Sequence, residues 1–290
     1  MKVSEYLKAN PIVPSEYPNI HLDTYAYCNA SCIFCGYSDM TRKKGRMSRG
    51  LLNHILDDIA LWDTPTKEIV PIHYGEFFLN PDWLYVLECI QGKLPRTKIA
   101  IPTNGSLLDD SKIDRLVRIR TLKYLSFSIY GYFDETYERL TGLSPGTIGR
   151  VEHAITRIRQ LRPDIHIAVG ATFHPPFITD YETRLLLRKW HPYVQCHIVI
   201  GNSQMNKDFM KDYPSEIPCI SIFLSFIVLW DGRVCLCCYD PNGEIIVGDV
   251  KRERLLDIWQ GELVKKYQNL HAAGKRDTIP LCRTCSFACP

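Results

Sequence analysis

The length, composition and charge of the chain restrict the kinds of protein it can be. Its 290 residues are 46% hydrophobic, which is enough for one large domain and a small one. Its 35 basic and 32 acidic residues nearly balance, so the total charge favours neither a nucleic acid nor a membrane surface as partner. The longest apolar run, 219–230, is too short to span a bilayer, and residues 1–8 carry charges where a signal peptide is apolar. We therefore expect a soluble, cytoplasmic protein.

The first 200 residues alternate between short apolar stretches and longer amphipathic ones. The alternation predicts six strands with helices between them, and therefore an α/β fold with a parallel sheet, either open or curled into a partial (β/α)6 TIM-like barrel. Ligands of such folds bind at the carboxyl ends of the strands. Ser48 and Asp109 are predicted to cap their helices. The predicted strands are 20–26, 68–74, 98–101, 124–129, 165–172 and 194–200, and the predicted helices are 48–62, 81–91, 109–119, 146–161 and 179–190.

After residue 200 the pattern changes. A polar stretch at 202–218 places a domain boundary near residue 210. Asp231-Gly232 between two apolar runs, 221–229 and 233–238, predicts a β-hairpin, and a helix over 255–271 follows it. The predicted organisation is an N-terminal extension (1–19), a core domain (20–210) and a small domain of one β-hairpin plus a helix (211–290).

Twelve cysteines are many for a cytoplasmic protein. In a reducing compartment, clustered cysteines bind metals or act chemically more often than they form disulfides. Cys89 and Cys196 stand alone, and we expect them to be buried packing residues. The others form three groups: Cys28, Cys32 and Cys35; Cys219, Cys235, Cys237 and Cys238; Cys282, Cys285 and Cys289.

The first group, Cys28, Cys32 and Cys35, follows the first predicted strand with CxxxCxxC spacing. Three thiolates on one loop can hold three corners of a cubic iron–sulfur cluster and leave the fourth iron open. A zinc site is the alternative, but it needs four ligands close together, and His21 and His54 lack the spacing of zinc motifs.

This motif, with the aromatic Phe34 before its last cysteine, resembles the signature of the radical S-adenosylmethionine (SAM) superfamily. The resemblance implies that Cys28, Cys32 and Cys35 hold a [4Fe-4S] cluster whose open iron binds SAM. His73-Tyr74-Gly75-Glu76 is similar to the Gly-Gly-Glu element that holds the methionine ammonium in this family, with Tyr74 in place of the first glycine. The cofactor-binding residues that the resemblance implies are Phe34, Tyr74, Gly75, Glu76, Asn104 and Ser128.

The C-terminal cysteines resemble the SPASM/twitch extension of the same superfamily. The resemblance implies one auxiliary [4Fe-4S] cluster, bound by Cys219, Cys237, Cys282 and Cys285, although Cys289 could replace one of these ligands. A structural zinc site is the alternative. The alternation of side chains along a strand predicts that Cys235 shares a face with Cys237 and that Cys238 points the other way.

The layout, a core followed directly by a twitch domain, resembles aminocyclitol dehydrogenases and aminoglycoside epimerases of antibiotic biosynthesis. It implies that a 5′-deoxyadenosyl radical takes a hydrogen atom from a carbohydrate-like small molecule (an aminoglycoside, aminocyclitol or nucleotide sugar), giving epimerisation or dehydrogenation. Cys238 is the candidate hydrogen donor; an inert buried thiol is the alternative. A flavodoxin or ferredoxin would supply electrons. A ribosomal-peptide maturase and a non-catalytic electron carrier are the competing hypotheses.

Other residues have two interpretations each. Asp23 and Tyr25 are expected to face the barrel interior, because they alternate with Leu22 and Thr24 on the first predicted strand. His73 and His174 are expected near the active-site end as packing or capping residues rather than as bases. The basic run 41–46 could attract an anionic substrate, but a solvated loop is the simpler interpretation.

Overall fold

The structure, a computed structural model, describes residues 13–170, 178–191, 218–283 and 285. None of the helices in this part of the chain combines the length and hydrophobicity that a membrane span requires. The predicted strand 194–200, together with Cys196, His174 and Cys289, lies outside the described residues.

One eight-stranded sheet organises the described residues, in the order β5-β4-β3-β2-β1-β6-β7-β8. The strands from β5 to β6 in this order run parallel, whereas β7 and β8 are antiparallel to their neighbours. The sheet is not closed, which agrees with a partial barrel and confirms the predicted fold class. The strands are β1 (Asn19–Leu22), β2 (Glu68–Val70), β3 (Lys98–Thr103), β4 (Leu122–Ser128), β5 (His166–Gly170), β6 (Ser225–Val228), β7 (Arg233–Cys235) and β8 (Ile246–Asp249).

β1 lies between the two parts of the chain. Its Ile20 is aligned with Ile69 of β2 on one side and with Phe226 of β6 on the other. The C-terminal hairpin, formed by β6 and β7, therefore extends the sheet of the core. The boundary near residue 210 stays a prediction.

The helices agree with the predicted ones except at three places. Ser48 and Asp109 cap their helices as predicted: Ser48 Oγ accepts from Leu51 N, and Asp109 Oδ1 accepts from Lys112 N. The helices are α1 (Arg49–Ala60), α2 (Trp83–Lys93), α3 (Asp110–Leu116), α4 (Asp134–Thr141), α5 (Thr147–Leu161), α6 (Asp180–Trp190), α7 (Ser221–Leu224), α8 (Leu255–Trp259), α9 (Glu262–Ala272) and α10 (Pro280–Arg283).

Three expectations were wrong. Helix α4 was not predicted, and the apolar run 221–229 begins with the short helix α7 before it becomes a strand. The single helix predicted over 255–271 is two helices, because Gly261 has extended backbone angles (φ −72°, ψ 164°) and ends the first of them. Glycine is poorly suited to a helix interior, so this break has a local cause.

Alternation along β1 separates the hydrophobic core from the inside of the barrel. Ile20 and Leu22 are fully buried in the main hydrophobic cluster. His21, and Asp23 directly after the strand, lie on the opposite side, as the alternation requires. Burying each large aliphatic side chain stabilises the fold by about 1.5–3 kcal/mol.

Candidate functional site

The loop that carries the first three cysteines follows β1 and is anchored to helix α4. Ser31 N donates to Thr141 O at 2.8 Å, and Ile33 N donates to Leu140 O at 3.0 Å. The last carbonyls of a helix lack partners inside the helix, so the loop satisfies them. Cys28 N adds a bond to Tyr37 Oη at 3.1 Å. The loop is held from two sides.

The three thiols are suited to a metal cluster. Ala30 N donates to Cys28 Sγ, and Tyr37 N donates to Cys35 Sγ, each at 3.4 Å. These N–H groups favour a negative charge on sulfur, but burial outweighs them and raises the pKa of Cys28 to about 11. Burial also raises the pKa of Cys32 and Cys35. A bound metal deprotonates a coordinating thiol outright, so the raised pKa does not prevent these cysteines from binding a metal as thiolates.

Glu76 connects the loop after β2 to the end of β3. Its Oε1 accepts from Phe78 N at 3.1 Å and from Thr103 Oγ1 at 2.7 Å. Its Oε2 accepts from Asn104 N at 2.8 Å. Burial raises the pKa of Glu76, and these hydrogen bonds oppose the rise. The carboxylate therefore has a structural use that the sequence did not indicate, while Oε2 retains capacity for a second donor.

Asn104 ties the end of β3 to the cysteine loop. Its Nδ2 donates to Asn29 Oδ1 at 3.0 Å, and Asn29 Nδ2 donates to Ser106 Oγ at 2.9 Å. Asn104 Oδ1 accepts from Ser106 N at 2.9 Å. The amide of Asn104 thus positions two predicted site segments relative to each other.

Gly75 and Tyr74 lie where the first cysteine loop passes the loop after β2. A Cβ on Gly75 would lie 2.4 Å from Tyr25 O and 2.9 Å from Tyr27 O, so this close approach requires glycine. The Tyr74 side chain lies next to Gly36, because a Cβ added to Gly36 would lie 3.4 Å from Tyr74 Oη. Burial raises the pKa of Tyr74, and Cys35 and Cys238 add to the rise in that order. The phenol is therefore near thiols of both cysteine groups.

Phe34 and Ser128 lie on the other side of the first loop. The Phe34 ring packs edge-on against Tyr130, with 4.5 Å between ring centroids and 76° between planes. Ser128 ends β4, and its carbonyl accepts from Tyr137 Oη at 3.3 Å. Asn104 and Ser128 thus lie at the carboxyl ends of β3 and β4, and Cys28 and Glu76 lie beyond those of β1 and β2, as parallel topology predicts.

A pocket in the C-terminal part of the chain is lined by cysteines from three separate segments. All four predicted auxiliary ligands line it together with Cys238, the candidate hydrogen donor. Burial raises the pKa of Cys282 to about 12, and neighbouring thiols add to the rise. The residues that matter here are Cys219, Cys237, Cys238, His271, Arg276, Cys282 and Cys285.

Cys235 does not line this pocket, whereas Cys238 lines it together with Cys237, so the predictions that Cys235 shares a face with Cys237 and that Cys238 points the other way were both wrong. Strand β7 ends at Cys235, with a register shift between Val234 and Cys235, so strand alternation does not continue to Cys237. The Cys235 thiol is fully buried and donates to Asp240 Oδ2 at 3.3 Å. It is a packing residue of the hairpin.

The geometry bears on the choice between zinc and an iron–sulfur cluster. Within the described ranges, no three His, Cys, Asp or Glu side chains converge as they do around a single metal ion. A zinc site requires four ligands about 2.0–2.3 Å from one point. The described residues therefore offer no preassembled four-ligand zinc site.

In the basic run 41–46, Lys43 and Arg46 are exposed, as a solvated loop requires, but the side chain of Arg42 is buried. Its Nη2 donates to Asp23 Oδ2 and its Nε donates to Pro241 O, each at 2.7 Å. Thr41 N and Arg42 N both donate to Asn242 Oδ1, at 2.7 and 3.3 Å. The segment after the first cysteines is thereby fastened to the 240–242 turn, which follows Cys238.

Several of these residues were not predicted from the sequence. Asn29, Thr103 and Asn242 are ordinary loop or strand-end residues whose partners are distant in sequence. His271 had a local signal, because it shares the buried stripe of α9 with Val264 and Gln268. A polar residue on an otherwise buried helix face indicates a specific partner.

Comparisons with known proteins agree with this geometry. The model of the radical SAM superfamily matches residues 22–188, and that of an iron–sulfur cluster-binding domain, SPASM, matches residues 219–286. Because the first match covers more than half of it, the chain belongs to the radical SAM superfamily. It is therefore a radical SAM enzyme that uses SAM and a [4Fe-4S] cluster, and its C-terminal part is an auxiliary iron–sulfur domain.

Individual relatives extend over nearly the whole chain. The S-adenosyl-L-methionine-dependent 2-deoxy-scyllo-inosamine dehydrogenase of Niallia circulans is 20% identical over 272 residues, 92% of each chain. The structure of BtrN in complex with AdoMet and 2-DOIA has a TM-score of 0.64 at 16% identity and covers 94% of each chain. Streptococcus suis SuiB bound to its precursor peptide SuiA has a TM-score of 0.65 at 14% identity, covering 98% of this chain and 74% of SuiB.

Proposed function

We propose that this enzyme takes a hydrogen atom from a carbohydrate-like small molecule, an aminocyclitol, aminoglycoside or nucleotide sugar, and dehydrogenates it. The observation that carries the proposal is the similarity to an aminocyclitol dehydrogenase over 92% of both chains. An α-hydroxyalkyl substrate radical that loses one proton and one electron becomes a carbonyl compound. The auxiliary cluster would take up that electron, so the electron used to cleave SAM would be recovered.

The two cysteine groups would bind two different clusters. We assign Cys28, Cys32 and Cys35 to the [4Fe-4S] cluster that binds SAM, and Cys219, Cys237, Cys282 and Cys285 to one auxiliary [4Fe-4S] cluster. When bound, SAM and the first cluster supply the 5′-deoxyadenosyl radical.

The SAM site would be formed by the residues at the carboxyl ends of the strands. Glu76 and the backbone around Gly75 would hold the methionine ammonium, through a charge-assisted hydrogen bond to Oε2, which already accepts from Asn104 N. Phe34 would bind the adenine, and Tyr130 packs against its ring. Tyr74, Asn104 and Ser128 would complete the contacts around the cofactor.

Epimerisation is the second candidate, and the position of Cys238 favours it. This thiol lines the auxiliary pocket and contributes, like Cys35, to the environment of the Tyr74 phenol. A thiol beside the auxiliary pocket could return a hydrogen atom to the substrate radical from the face opposite to abstraction, and the thiyl radical left on Cys238 would take back one electron from the external reductant and one proton. The fate of the radical therefore depends on whether Cys238 or the auxiliary cluster reacts with it first.

One experiment tests these alternatives together. Anaerobically reconstituted enzyme is incubated in deuterated buffer with SAM, dithionite and panels of aminocyclitols, aminoglycosides, nucleotide sugars and peptides, and 5′-deoxyadenosine and product masses are measured. A product two hydrogens lighter supports dehydrogenation. Solvent deuterium in the product, lost in Cys238→Ala but not in the matched Cys89→Ala variant, supports epimerisation. Turnover of peptides alone contradicts the proposal, and absence of 5′-deoxyadenosine with every substrate would indicate an electron carrier.

A further inference from the structure

We propose that His271 donates a hydrogen bond to the sulfur of Cys282 and thereby raises the reduction potential of the auxiliary cluster. This role rests on the auxiliary ligand set of the proposed function. It makes His271 a positioning and tuning residue of that cluster rather than one of its ligands.

The position of His271 is fixed by the packing of α9. The side chain is 2% exposed and lies on the buried stripe of the helix. One turn earlier on the same stripe, Gln268 Nε2 donates to Ile222 O at 3.0 Å. This bond holds α9 against α7, next to Cys219. The imidazole is therefore placed beside the cysteines by two packed elements.

The backbone determines which ring nitrogen of His271 carries the proton. Cys219 N donates to His271 Nδ1 at 3.1 Å. A ring nitrogen that accepts a hydrogen bond bears no hydrogen, so the proton is on Nε2. His271 Nε2 lies 3.5 Å from Cys282 Sγ. The N–H group therefore points at the sulfur of an assigned cluster ligand.

A donor in this place acts on the reduction potential. Reduction adds negative charge that is shared with the thiolate sulfurs, and an N–H directed at a sulfur stabilises that charge. Hydrogen bonds to the sulfurs are among the factors that set the potentials of iron–sulfur clusters. The positive charge of the buried Arg276 acts in the same direction, because hydrogen bonds from its Nη1 to Cys282 O at 3.3 Å and to Cys285 O at 3.5 Å hold it beside these cysteines. Both groups make the auxiliary cluster a better electron acceptor.

Substitutions at His271 separate the donor from the packing. His271→Gln places an amide N–H near the position of Nε2, whereas His271→Asn keeps an acceptor for Cys219 N but no donor that reaches Cys282. His271→Leu removes both. The reduction potential is measured by an EPR-monitored redox titration in a background with Cys28, Cys32 and Cys35 all changed to alanine, so that only the auxiliary cluster contributes. His153→Leu, at an exposed histidine, is the control.

The expected result is a lower potential in the Asn and Leu variants and a near-normal one in the Gln variant. We expect reduction to become about tenfold less favourable, which is about 59 mV for one electron. An unchanged potential in the Asn and Leu variants, with iron retained, overturns the inference. Loss of the cluster in both the Asn and the Gln variant also overturns it, in favour of a purely structural role. If the parent without the first three cysteines holds no iron, the auxiliary ligand assignment itself is wrong.

Discussion

Arg42 and Asp23 form an ion pair inside the protein, with 2.7 Å between Nη2 and Oδ2 and with side chains that are 4% and 0% exposed. Asp23 directly follows β1, and Arg42 follows the first cysteine loop. Because Arg42 also donates to Pro241, one guanidinium joins the residue after the first strand, the segment after Cys35 and the turn after Cys238. The hydrogen bonds of Arg42 therefore link the segments that carry the two cysteine groups.

We expect Asp23→Ala to lower the free energy of unfolding by about 3–5 kcal/mol, because it leaves a buried guanidinium without its counter-charge. Chemical denaturation measures the change. A double variant with apolar residues, Asp23→Leu with Arg42→Met, should lose less than the two single substitutions together. Lys123→Ala, which removes an exposed partner of Asp164, should cost less than about 1 kcal/mol. An equal cost for Asp23→Ala and Lys123→Ala would contradict the importance of the buried pair.

Gly75→Ala should disrupt the SAM site, because the added methyl group would lie 2.4 Å from Tyr25 O. We expect a loss of about 1–3 kcal/mol in stability, typical of overpacking, together with weaker SAM binding. Denaturation and calorimetric titration with SAM measure the two effects. Gly92→Ala is the matched control: no atom lies within 4 Å of its added methyl group, and alanine should stabilise helix α2 by up to about 1 kcal/mol. Normal SAM affinity in Gly75→Ala would show that the close approach is not required.

Glu182→Ala should weaken iron retention at the first cluster, although Glu182 is far from it in sequence. Helix α4 has no capping side chain of its own at Phe133. Glu182 on α6 replaces it by accepting from Tyr132 N, Phe133 N and Thr136 Oγ1 at 2.9, 3.1 and 2.9 Å. Because the other end of α4 holds the cysteine loop, we expect a loss of about 1–3 kcal/mol and faster iron release to a chelator.

The control for this substitution is Asp180→Ala, at an exposed position of the same helix. Iron release at the same rate in both variants would mean that the cap does not support the loop.

Cys235→Ala and Cys237→Ala should differ in iron content. Cys237 lines the auxiliary pocket, whereas Cys235 is buried in the hairpin and bonded to Asp240. We expect Cys237→Ala to lose roughly the four iron atoms of one cluster, and Cys235→Ala to keep them with a modest loss of stability. Iron and sulfide analysis of anaerobically purified protein decides the matter. Equal iron loss in both variants would assign Cys235 to the cluster.

Acid should destabilise the protein through His73. Burial lowers the pKa of His73 to about 3, and the charges of His21 and Arg42 contribute in that order. The unfolded histidine binds a proton below about pH 6.5. Between pH 6.5 and 3 the unfolded state therefore binds more protons than the folded state, and the free energy of unfolding decreases as the pH is lowered. His21, whose pKa burial lowers to about 4, acts in the same direction. Asp23, whose pKa burial raises to about 6, opposes them below pH 6.

The contribution of His73 between pH 6.5 and 5 is roughly 2 kcal/mol. His73→Gln should therefore lose less unfolding free energy than the wild type between pH 7 and pH 5, as measured by denaturation at each pH. The exposed His153→Gln variant should behave like the wild type. Identical pH dependence in the His73→Gln variant and the wild type would rule out a neutral buried His73.

The sequence by itself determined the features whose signals are local. The CxxxCxxC spacing, the helix caps at Ser48 and Asp109, and the alternation of strands and helices each depend on residues within a few positions of one another. Parallel topology then placed Glu76, Asn104 and Ser128 at one edge of the sheet, because the carboxyl ends of parallel strands lie together.

Only the tertiary structure decided the features whose partners are distant in the chain. Arg42 looked like part of a solvated basic run, and its burial depends on Asn242, 200 residues away. The cap of helix α4 is Glu182, which lies on another helix. The turn after β7 separates Cys235 from Cys237. The physical reason is common to all three: burial and hydrogen-bond partners are set by chain segments that meet only when the sheet assembles, and no local pattern records them.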